Sequence, residues 1–471
     1  MIVAVGAVAA IALCGLLDVL AVVITVVGLG AVAAAVASPA GIAAAAIATL
    51  PWFYHPLILE QERVPASELL LLAAVAGTGL RLAGTLALGR SNERRQVAAS
   101  LRATLASPLV VAAIVLTVVG LFLAIWPYDP AHRAESLREW RWTLAEPLAL
   151  VGVLSLAGRR HTRLIAVALL AGAALAGAQG LADFITGGGV MVEGAHRVAG
   201  PYSHPNALAL YLARAAAFGA AWWMADGRSR RWLAPVVAIV GLAMLATLSR
   251  GAILAAGVAG LLILWQAPRR LRVAGYAAGA LGAAGLLVIA RERMLDLFSG
   301  GSGSLRLAIW DSALRMIADR PIRGYGNDQF LYAYLPRYVN PVAWSERFTA
   351  HAHNFVLDFW VRLGIIGVAF AALAAAVSLM SAWRFATGAG PNDAIARAAS
   401  VGIVAIIVHG LVDNAYFAHD LAMSAWVLGW LAFGRPDPAQ REEAANDARA
   451  RDRRRWLHRV APVRKPARGR S

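Results

Sequence analysis

The side chains with the greatest capacity for chemistry in this sequence stand in short polar segments between long apolar runs. Most are arginines and histidines, with an asparagine and a tyrosine beside them: Arg197, His204, Asn206, Arg250, Arg306, Tyr325, His351 and His353. Guanidinium groups bind phosphate oxygens in pairs, keep their charge, and stabilise a diphosphate leaving group. A histidine can take a proton from an attacking hydroxyl near neutral pH. These residue types together predict the transfer of a group from a polyprenyl diphosphate.

One polar segment leads into an apolar run with residues that suit a helix start. Arg197 precedes the segment Gly-Pro-Tyr-Ser-His-Pro-Asn over residues 200–206, and the apolar run follows at once. Proline is favoured in the first turn of a helix, where the free N–H groups and the helix dipole attract an anion. The segment therefore predicts a helix start that can bind an anion.

Each of these groups also has a structural interpretation when it is taken alone. Arginines near helix ends often extend to the membrane surface, and polar residues before a helix often cap it. This applies to Arg250, Arg306, His204 and His353. His409 and Asp413, one turn apart, could form an interhelical hydrogen-bonded pair. The functional interpretation depends on convergence, because four separate segments deliver these groups to one predicted side of the molecule.

The composition excludes a soluble globular enzyme. Hydrophobic residues make up 59% of the 471-residue chain and charged residues 15%, and the mean hydropathy is +0.62. Cys14 is the single cysteine, which excludes a disulfide framework and a cysteine-based metal site. The formal net charge of +17 is explained by basic connections and a basic tail, so we predict no nucleic-acid partner. The external segments hold no cluster of carboxylates arranged like a metal site, and we predict neither a metal nor a cofactor.

Apolar runs of membrane-spanning length define the predicted fold. A run of roughly 18 to 21 residues crosses about 30 Å of hydrocarbon at about 1.5 Å per residue. Twelve core helices are predicted at roughly 41–56, 66–89, 107–127, 143–158, 164–184, 205–226, 232–248, 251–267, 273–290, 354–384, 396–416 and 419–434. Residues 1–37 are apolar enough for one more hairpin, which would raise the total to fourteen. The predicted fold class is an all-α polytopic membrane protein.

Basic residues set the predicted orientation of the bundle. The tail over residues 435–471 is rich in arginine, and we predict that it is cytoplasmic and disordered. Four other basic connections fall on the same side of the membrane: 94–102, 159–163, 228–231 and 269–272. The chain is thus predicted to form a transmembrane bundle over 1–434, with one large external loop over 291–353, followed by the tail.

The external loop is too long to be a simple connection, and it contains a helical pattern of its own. Leu305, Ile309, Ala313 and Ile317 recur at helical spacing within residues 304–321, beside charged positions. We predict an amphipathic helix that lies over the mouth of the bundle.

In their order along the chain, these motifs resemble the O-antigen ligase superfamily, which includes O-antigen polymerases and bacterial protein O-oligosaccharyltransferases. The resemblance spans roughly residues 190–370. It is carried by Arg197 with 200–206, by Ser-Arg-Gly at 249–251, by Arg306 with Trp310, Pro321 and Gly-Tyr-Gly at 324–326, and by His353 and Asn354 with Gly-Ile-Ile-Gly at 364–367.

The resemblance implies a glycosyltransferase-C-like fold that works without a metal on the periplasmic face of the bacterial inner membrane. The implied donor is a glycan on undecaprenyl diphosphate, transferred with inversion at the anomeric carbon. His353 matches the catalytic histidine that activates the acceptor hydroxyl, although His351 leaves this assignment open, and Arg197 and Arg306 match the diphosphate-binding arginines. The candidates for substrate binding are Arg250, His351, Asn206, His204 and Tyr325.

The activities that the resemblance leaves open differ in their acceptor. A ligase passes the glycan to a sugar of the lipid A core, and this is the activity we favour. A polymerase passes the glycan to another lipid-linked repeat, and an O-oligosaccharyltransferase passes it to a protein. A different class, a transporter or flippase for lipid-linked sugars, would line a pathway with the same arginines.

Overall fold

The computed structural model describes residues 30, 32–59, 62–192, 194–277, 279, 302–387 and 393–434. Four predictions fall wholly or largely outside these residues: the extra hairpin over 1–37, the helix over 273–290, the first part of the external loop and the tail over 435–471.

The described chain is almost entirely helical, as the apolar runs predicted. The helices are α1 (Pro39–Ala48), α2 (Ala66–Leu88), α3 (Ser91–Leu105), α4 (Pro108–Ile125), α5 (Arg133–Trp140), α6 (Glu146–Ala157), α7 (Thr162–Ile185), α8 (Pro205–Ala225), α9 (Arg230–Ala246), α10 (Arg250–Trp265), α11 (Ser302–Asp319), α12 (Phe330–Arg337), α13 (Phe355–Thr387), α14 (Ala394–Gly410) and α15 (His419–Phe433). Two short antiparallel hairpins, which the sequence did not predict, pair β1 (Leu57–Leu59) with β2 (Glu62–Val64) and β3 (Val190–Val192) with β4 (Ala195–Arg197).

Several of these helices are long and apolar enough to cross a membrane. Among the described residues, five stretches meet this condition: Ala66–Leu88, Pro108–Ile125, Arg159–Ile185, Pro205–Ala225 and Phe355–Arg384. Shorter apolar helices lie at α1, α10 and α14. This set of apolar helices indicates an integral membrane protein.

Some predicted spans are shorter in the structure than the hydropathy indicated. The helix predicted over 41–56 ends at Ala48, and a 3₁₀ turn with Pro51 follows it. The helix predicted over 396–416 ends at Gly410. Hydropathy cannot place these ends, because large apolar side chains that are buried continue past them, among them Leu50, Phe53, Tyr416 and Phe417.

Helix α8 lies at the centre of the bundle and packs against α9, α10 and α14. Its side chains Tyr211, Phe218 and Trp222 are fully buried. Gly402 of α14 faces it so closely that a Cβ there would lie 3.1 Å from the Cβ of Phe218. Small residues at such contacts let helix backbones approach, which is a main source of packing energy in membranes. The centre of the bundle therefore holds α8 firmly, and the candidate site forms at its N-terminus.

The amphipathic helix predicted over 304–321 is confirmed as α11. Ala308, Ile309, Ala313 and Ile317 are buried, and they pack into a small apolar cluster with α12. This cluster forms the core of the external loop and gives it a structure of its own.

The external loop is fastened to the bundle at a break in α13. Gly364 has φ 61° and ψ −147°, so the helix is interrupted there. The N–H of Tyr325 donates to the carbonyl of Val361 over 2.7 Å, and the N–H of Ile365 donates to the carbonyl of Ile322 over 3.1 Å. The loop thereby satisfies backbone groups that the break leaves without helical partners.

Replacing Gly364 with alanine should lower the stability of the fold by about 2–4 kcal/mol. A Cβ at this position would lie 1.9 Å from the carbonyl oxygen of Ile322, and the positive φ disfavours any side chain. Thermal unfolding in detergent measures the effect. A Cβ at Gly257 of α10 would meet no atom of the described chain within 4 Å, so Gly257→Ala is the matched control. Equal melting temperatures for the two variants would contradict this account of the break.

Candidate active site

Four segments of the chain meet around a cavity of about 620 Å³. The loop after α1 contributes Tyr54 and His55, and the turn into α8 contributes residues 200–207. The turn before α13 contributes His351 and His353, and the segment after α14 contributes residues from 413 to 421, the last of them in the first turn of α15. The structure therefore brings together the histidine segments that were predicted to lie on one side.

The turn into α8 is held by Arg197, which ends β4 and is 6% exposed. Its Nε donates to the carbonyl of Thr247 over 2.6 Å, and its Nη2 donates to Oδ1 of Asn206 over 2.7 Å. The N–H of Asn206 donates in turn to Nδ1 of His204 over 3.1 Å. Helix α8 begins at Pro205, as predicted. Arg197 thus lies behind the cavity wall, while Asn206 and His204 line it.

His353 is held in a strained backbone conformation by its neighbours. Its φ is 52°, in the left-handed region that residues with a side chain seldom adopt, at a cost of about 1–3 kcal/mol. Asn354 accepts from the N–H of Val356 at the start of α13 and donates to the carbonyl of Leu411 over 2.9 Å. This asparagine therefore joins the histidine turn to the segment that carries Asp413.

Asp413 links the histidine to an arginine. Its Oδ1 lies 3.1 Å from Nδ1 of His353, and its Oδ2 lies 3.5 Å from Nη2 of Arg306. Burial alone would raise the pKa of the Asp413 carboxyl, but the hydrogen bond with His353 and the charge of Arg306 outweigh burial and hold the pKa well below its usual range. An ionised carboxylate only accepts, so Nδ1 of His353 carries the proton and Nε2 presents its lone pair.

His351 differs from His353 in its surroundings, although their rings are 4.2 Å apart. Burial first, and then the neighbouring imidazole of His353, lower the pKa of His351 to about 3. A histidine with so low a pKa is a weak base. The two histidines therefore differ: Asp413 orients the ring of His353, whereas burial lowers the pKa of His351.

A buried arginine on α13 fixes the turn that carries both histidines. Arg362 is 1% exposed; it contacts Glu139 of α5 over 3.1 Å and Asp358, one turn earlier on α13, over 3.1 Å. It also donates to the carbonyl of Ala350 over 3.1 Å, and Asp358 accepts from the N–H of Ala352 over 2.8 Å. These residues were not among the predicted ones. The signal available in the sequence was the pair of opposite charges, Asp358 and Arg362, four positions apart inside an apolar run.

A second buried arginine, Arg214 of α8, fixes the segment on the opposite side of the cavity. It donates to the carbonyl of Leu421 over 2.7 Å and to the carbonyl of Ala415 over 2.9 Å. Charged groups at membrane depth cost about 2.5–3.5 kcal/mol on insertion scales, so they persist where they have such partners. Arg214 thereby positions Asp413, two residues before Ala415, and Asp420, which directly precedes Leu421.

Other predicted site residues lie away from the cavity lining. Arg250 is the first residue of α10 and is exposed. Tyr325 is 2% exposed in the core of the external loop, and its hydroxyl lies 2.9 Å from that of Tyr338. This position gives Tyr325 a structural part in the loop rather than a place in the cavity wall.

The hydrogen-bonded pair considered for His409 and Asp413 is wrong. Asp413 pairs with His353 and Arg306, and both ring nitrogens of the buried His409 are without a hydrogen-bond partner in the part of the chain that the structure describes. Helical spacing brings His409 and Asp413 into range, but the chain leaves α14 at Gly410 and turns the carboxylate toward α13.

A buried pair on the cavity wall was not predicted from the sequence. The hydroxyl of Tyr202 donates to Oδ2 of Asp420 over 2.7 Å, and both residues line the cavity. His55 lines it as well, with Nε2 2.7 Å from the carbonyl of Pro201. Since these partners are more than a hundred positions apart in the chain, no local spacing could have indicated them.

One group of side chains has the composition of a metal site. The potential ligand atoms of His351, His353 and Asp413 all lie within 4.8 Å of one another. Two imidazoles and a carboxylate are ordinary zinc ligands. The arrangement can therefore either hold a divalent ion or act directly as a base with its orienting carboxylate, and Arg306 already supplies a positive charge beside Asp413.

Comparison with known proteins matches part of this chain. A family model described as O-antigen ligase matches residues 235–372. An O-antigen ligase of Salmonella typhimurium strain LT2 is 33% identical over 138 residues, which cover 27% of this chain and 34% of the relative. The chain therefore spans about a third of the length of this curated relative. The matched region contains the histidine turn and the external loop, and the resemblance first seen in the motifs is confirmed there: residues 235–372 of this chain match the O-antigen ligase family model.

Proposed function

We propose that this protein is an O-antigen ligase, which transfers a glycan from undecaprenyl diphosphate to the lipid A core oligosaccharide. The observation that carries the proposal is the contact of one buried carboxylate, Asp413, with both His353 and Arg306 at the edge of a cavity. This arrangement places a base and a phosphate-binding group on the two oxygens of one carboxylate, and a transfer from a lipid diphosphate needs both groups. The family match supports the same chemistry.

In the proposed mechanism, Nε2 of His353 takes the proton from the acceptor hydroxyl. The hydroxyl oxygen forms a bond to the anomeric carbon of the donor, and the bond between that carbon and the phosphate oxygen breaks with inversion. Arg306 binds the departing diphosphate and compensates its charge. Asp413 keeps His353 in the required tautomer and stabilises the imidazolium that forms.

The buried arginine Arg197 has a supporting part in this mechanism. Its donors hold the carbonyl of Thr247 and the side chain of Asn206, so it shapes the N-terminus of α8. In this proposal Arg250, at the start of α10, adds positive charge on the side of the donor.

The proposal places the site on the periplasmic face of the bacterial inner membrane, opposite the basic connections and tail. Deletion of the gene tests it, with lipopolysaccharide examined on a gel and carrier-linked glycan probed alongside. Core without O-antigen, together with long glycan on the carrier, supports a ligase. Core bearing one repeat indicates a polymerase, and an unchanged pattern contradicts both and indicates a protein acceptor or another glycan.

A transporter for lipid-linked sugars is tested with purified protein in membranes. Transfer of glycan without an energy source supports the enzyme. Movement of the donor across the bilayer with no new glycosidic bond would contradict it.

Chelation of divalent ions should leave the rate of transfer unchanged. We propose that the base and the arginine perform the reaction without a metal, although His351, His353 and Asp413 lie close enough together to hold one. Turnover of the purified protein before and after treatment with a chelator measures this. Strong inhibition that a divalent ion reverses would show that the three residues hold a catalytic metal.

A further inference from the structure

The wall of the cavity has the chemistry of a sugar site rather than that of a phosphate site. Among the described residues that line it there is no arginine and no lysine. Instead the wall presents hydroxyl, amide, carboxylate and aromatic groups, from Tyr54, Tyr202, Ser203, Asn414 and Asp420. These groups exchange hydrogen bonds with sugar hydroxyls, and aromatic faces pack against sugar rings.

Asp420 is a side chain on this wall with unused capacity for a hydrogen bond. It is 1% exposed, and its Oδ2 accepts from the hydroxyl of Tyr202. Its Oδ1 has no hydrogen-bond partner in the described part of the chain. A buried acceptor without a partner is costly, whereas a hydroxyl group arriving with a ligand would satisfy it. The Tyr202 hydroxyl, having donated to Asp420, keeps lone pairs that can accept from a second hydroxyl.

The geometry of the displacement indicates whether the cavity receives the donor sugar or the acceptor sugar. In an inverting displacement, the attacking oxygen and the leaving group lie on opposite sides of the anomeric carbon. The leaving diphosphate belongs with Arg306, which contacts Oδ2 of Asp413 and does not line the cavity. His353 contacts the other oxygen, Oδ1, and does line the cavity. The attacking hydroxyl therefore reaches His353 from the cavity.

We propose that the cavity is the subsite for the acceptor sugar, and that Asp420 and Tyr202 determine its specificity by binding hydroxyl groups of that sugar. This inference depends on the proposed function and names the substrate class of one half of the site. The acceptor sugar carries free hydroxyl groups at the positions that face Asp420. A phosphate group at those positions is disfavoured, because the side chain of Asp420 is acidic.

The test uses the purified full chain in lipid nanodiscs, with undecaprenyl-diphosphate glycan as donor and lipid A core as acceptor. Asp420→Asn should raise the KM for the acceptor roughly tenfold or more, since a site built to bind a hydroxyl loses much when its partner changes. The KM for the donor, and the slow hydrolysis of the donor by water, should stay within about twofold of the wild type. Tyr202→Phe should also raise the KM for the acceptor.

A matched control separates a local effect from a general loss of charge. Asp311 is an exposed carboxylate on α11 that lies outside the cavity lining, so Asp311→Asn should leave both KM values unchanged. If Asp420→Asn does not fold, Tyr202→Phe and Tyr54→Ala decide the matter, because Tyr54 is 51% exposed and can be truncated without disturbing a core.

The possible results lead to different conclusions. A raised donor KM, or impaired donor hydrolysis, with an unchanged acceptor KM would assign the cavity to the donor and overturn the inference. Wild-type behaviour of the variants would overturn it as well. Absence of both transfer and hydrolysis in the wild type would contradict the proposed function instead. In that case, titration calorimetry with core oligosaccharide alone still decides whether the cavity binds this sugar, since loss of binding in Asp420→Asn supports the subsite and equal binding rejects it.

Discussion

Replacement of His353 by alanine is expected to lower the rate of glycan transfer by roughly 100- to 10,000-fold, the usual contribution of a general base. The variant should still bind the donor, because Arg306 remains. Alanine keeps the Cβ that strains the left-handed backbone at φ 52°, so this strain is unchanged. Transfer to core oligosaccharide and binding of the lipid-linked donor are measured on the same preparation.

His351 provides the comparison for this experiment. Its pKa is lowered to about 3, chiefly by burial, so it is a poor base, and His351→Ala should lower transfer by less than about tenfold. Full activity of the His353 variant with loss of activity in the His351 variant would exchange their roles. Equal losses in both variants would indicate a shared ligand function, such as metal binding.

Replacement of Asp413 by asparagine is expected to lower the turnover number roughly 100- to 1,000-fold. The amide cannot accept from Nδ1 of His353 as strongly, and it no longer compensates the charge of Arg306. The turnover number and the KM for the donor are measured together. A misoriented His353 lowers the turnover number, whereas a displaced Arg306 alone raises the KM for the donor.

The pH dependence of the Asp413 effect follows from the direction of its pKa shift. The pKa of this carboxyl is held well below its usual range in the folded protein. The carboxyl therefore stays ionised, and its charge contributes to turnover until the pH falls to that lowered pKa. The defect of the asparagine variant should therefore be nearly constant between about pH 5 and pH 9. Glu346, an exposed carboxylate in the external loop, provides the control Glu346→Gln. A defect that disappears within this pH window would show that Asp413 is not the permanent charge of the site.

The positions of the helices could be predicted closely, because they depend on local properties of the chain. Long apolar runs predicted α2, α4, α7 and α8 to within a few residues. The 3.6-residue spacing of Ile309, Ala313 and Ile317 predicted α11. The prediction was weaker where a buried loop is as apolar as a helix, as after Ala48, and at the amphipathic helix α3, which has no buried residue to give it an apolar stripe.

Residue types could likewise suggest the chemistry of the site, but they could not indicate which side chains meet. The sequence indicated a phosphate-binding arginine and a basic histidine on one side of a membrane protein, because charge and hydropathy are properties of each residue and its immediate neighbours. It favoured His353 over His351 without excluding His351, and it suggested a pair between His409 and Asp413 that the described structure does not contain.

Only the tertiary structure decided the partners. Asp413 meets His353 across 60 positions of the chain, and Tyr202 meets Asp420 across 218. Arg214 and Arg362 hold the two segments of the site through backbone carbonyls, which carry no signal in the sequence. Such contacts arise from the packing of α8, α13 and α14 and from the need to satisfy charges buried in a medium without water, and both are properties of the whole fold. The sequence by itself thus determined the class of protein and the kinds of groups in its candidate site, and the fold determined which histidine pairs with a carboxylate and which polar groups line the cavity.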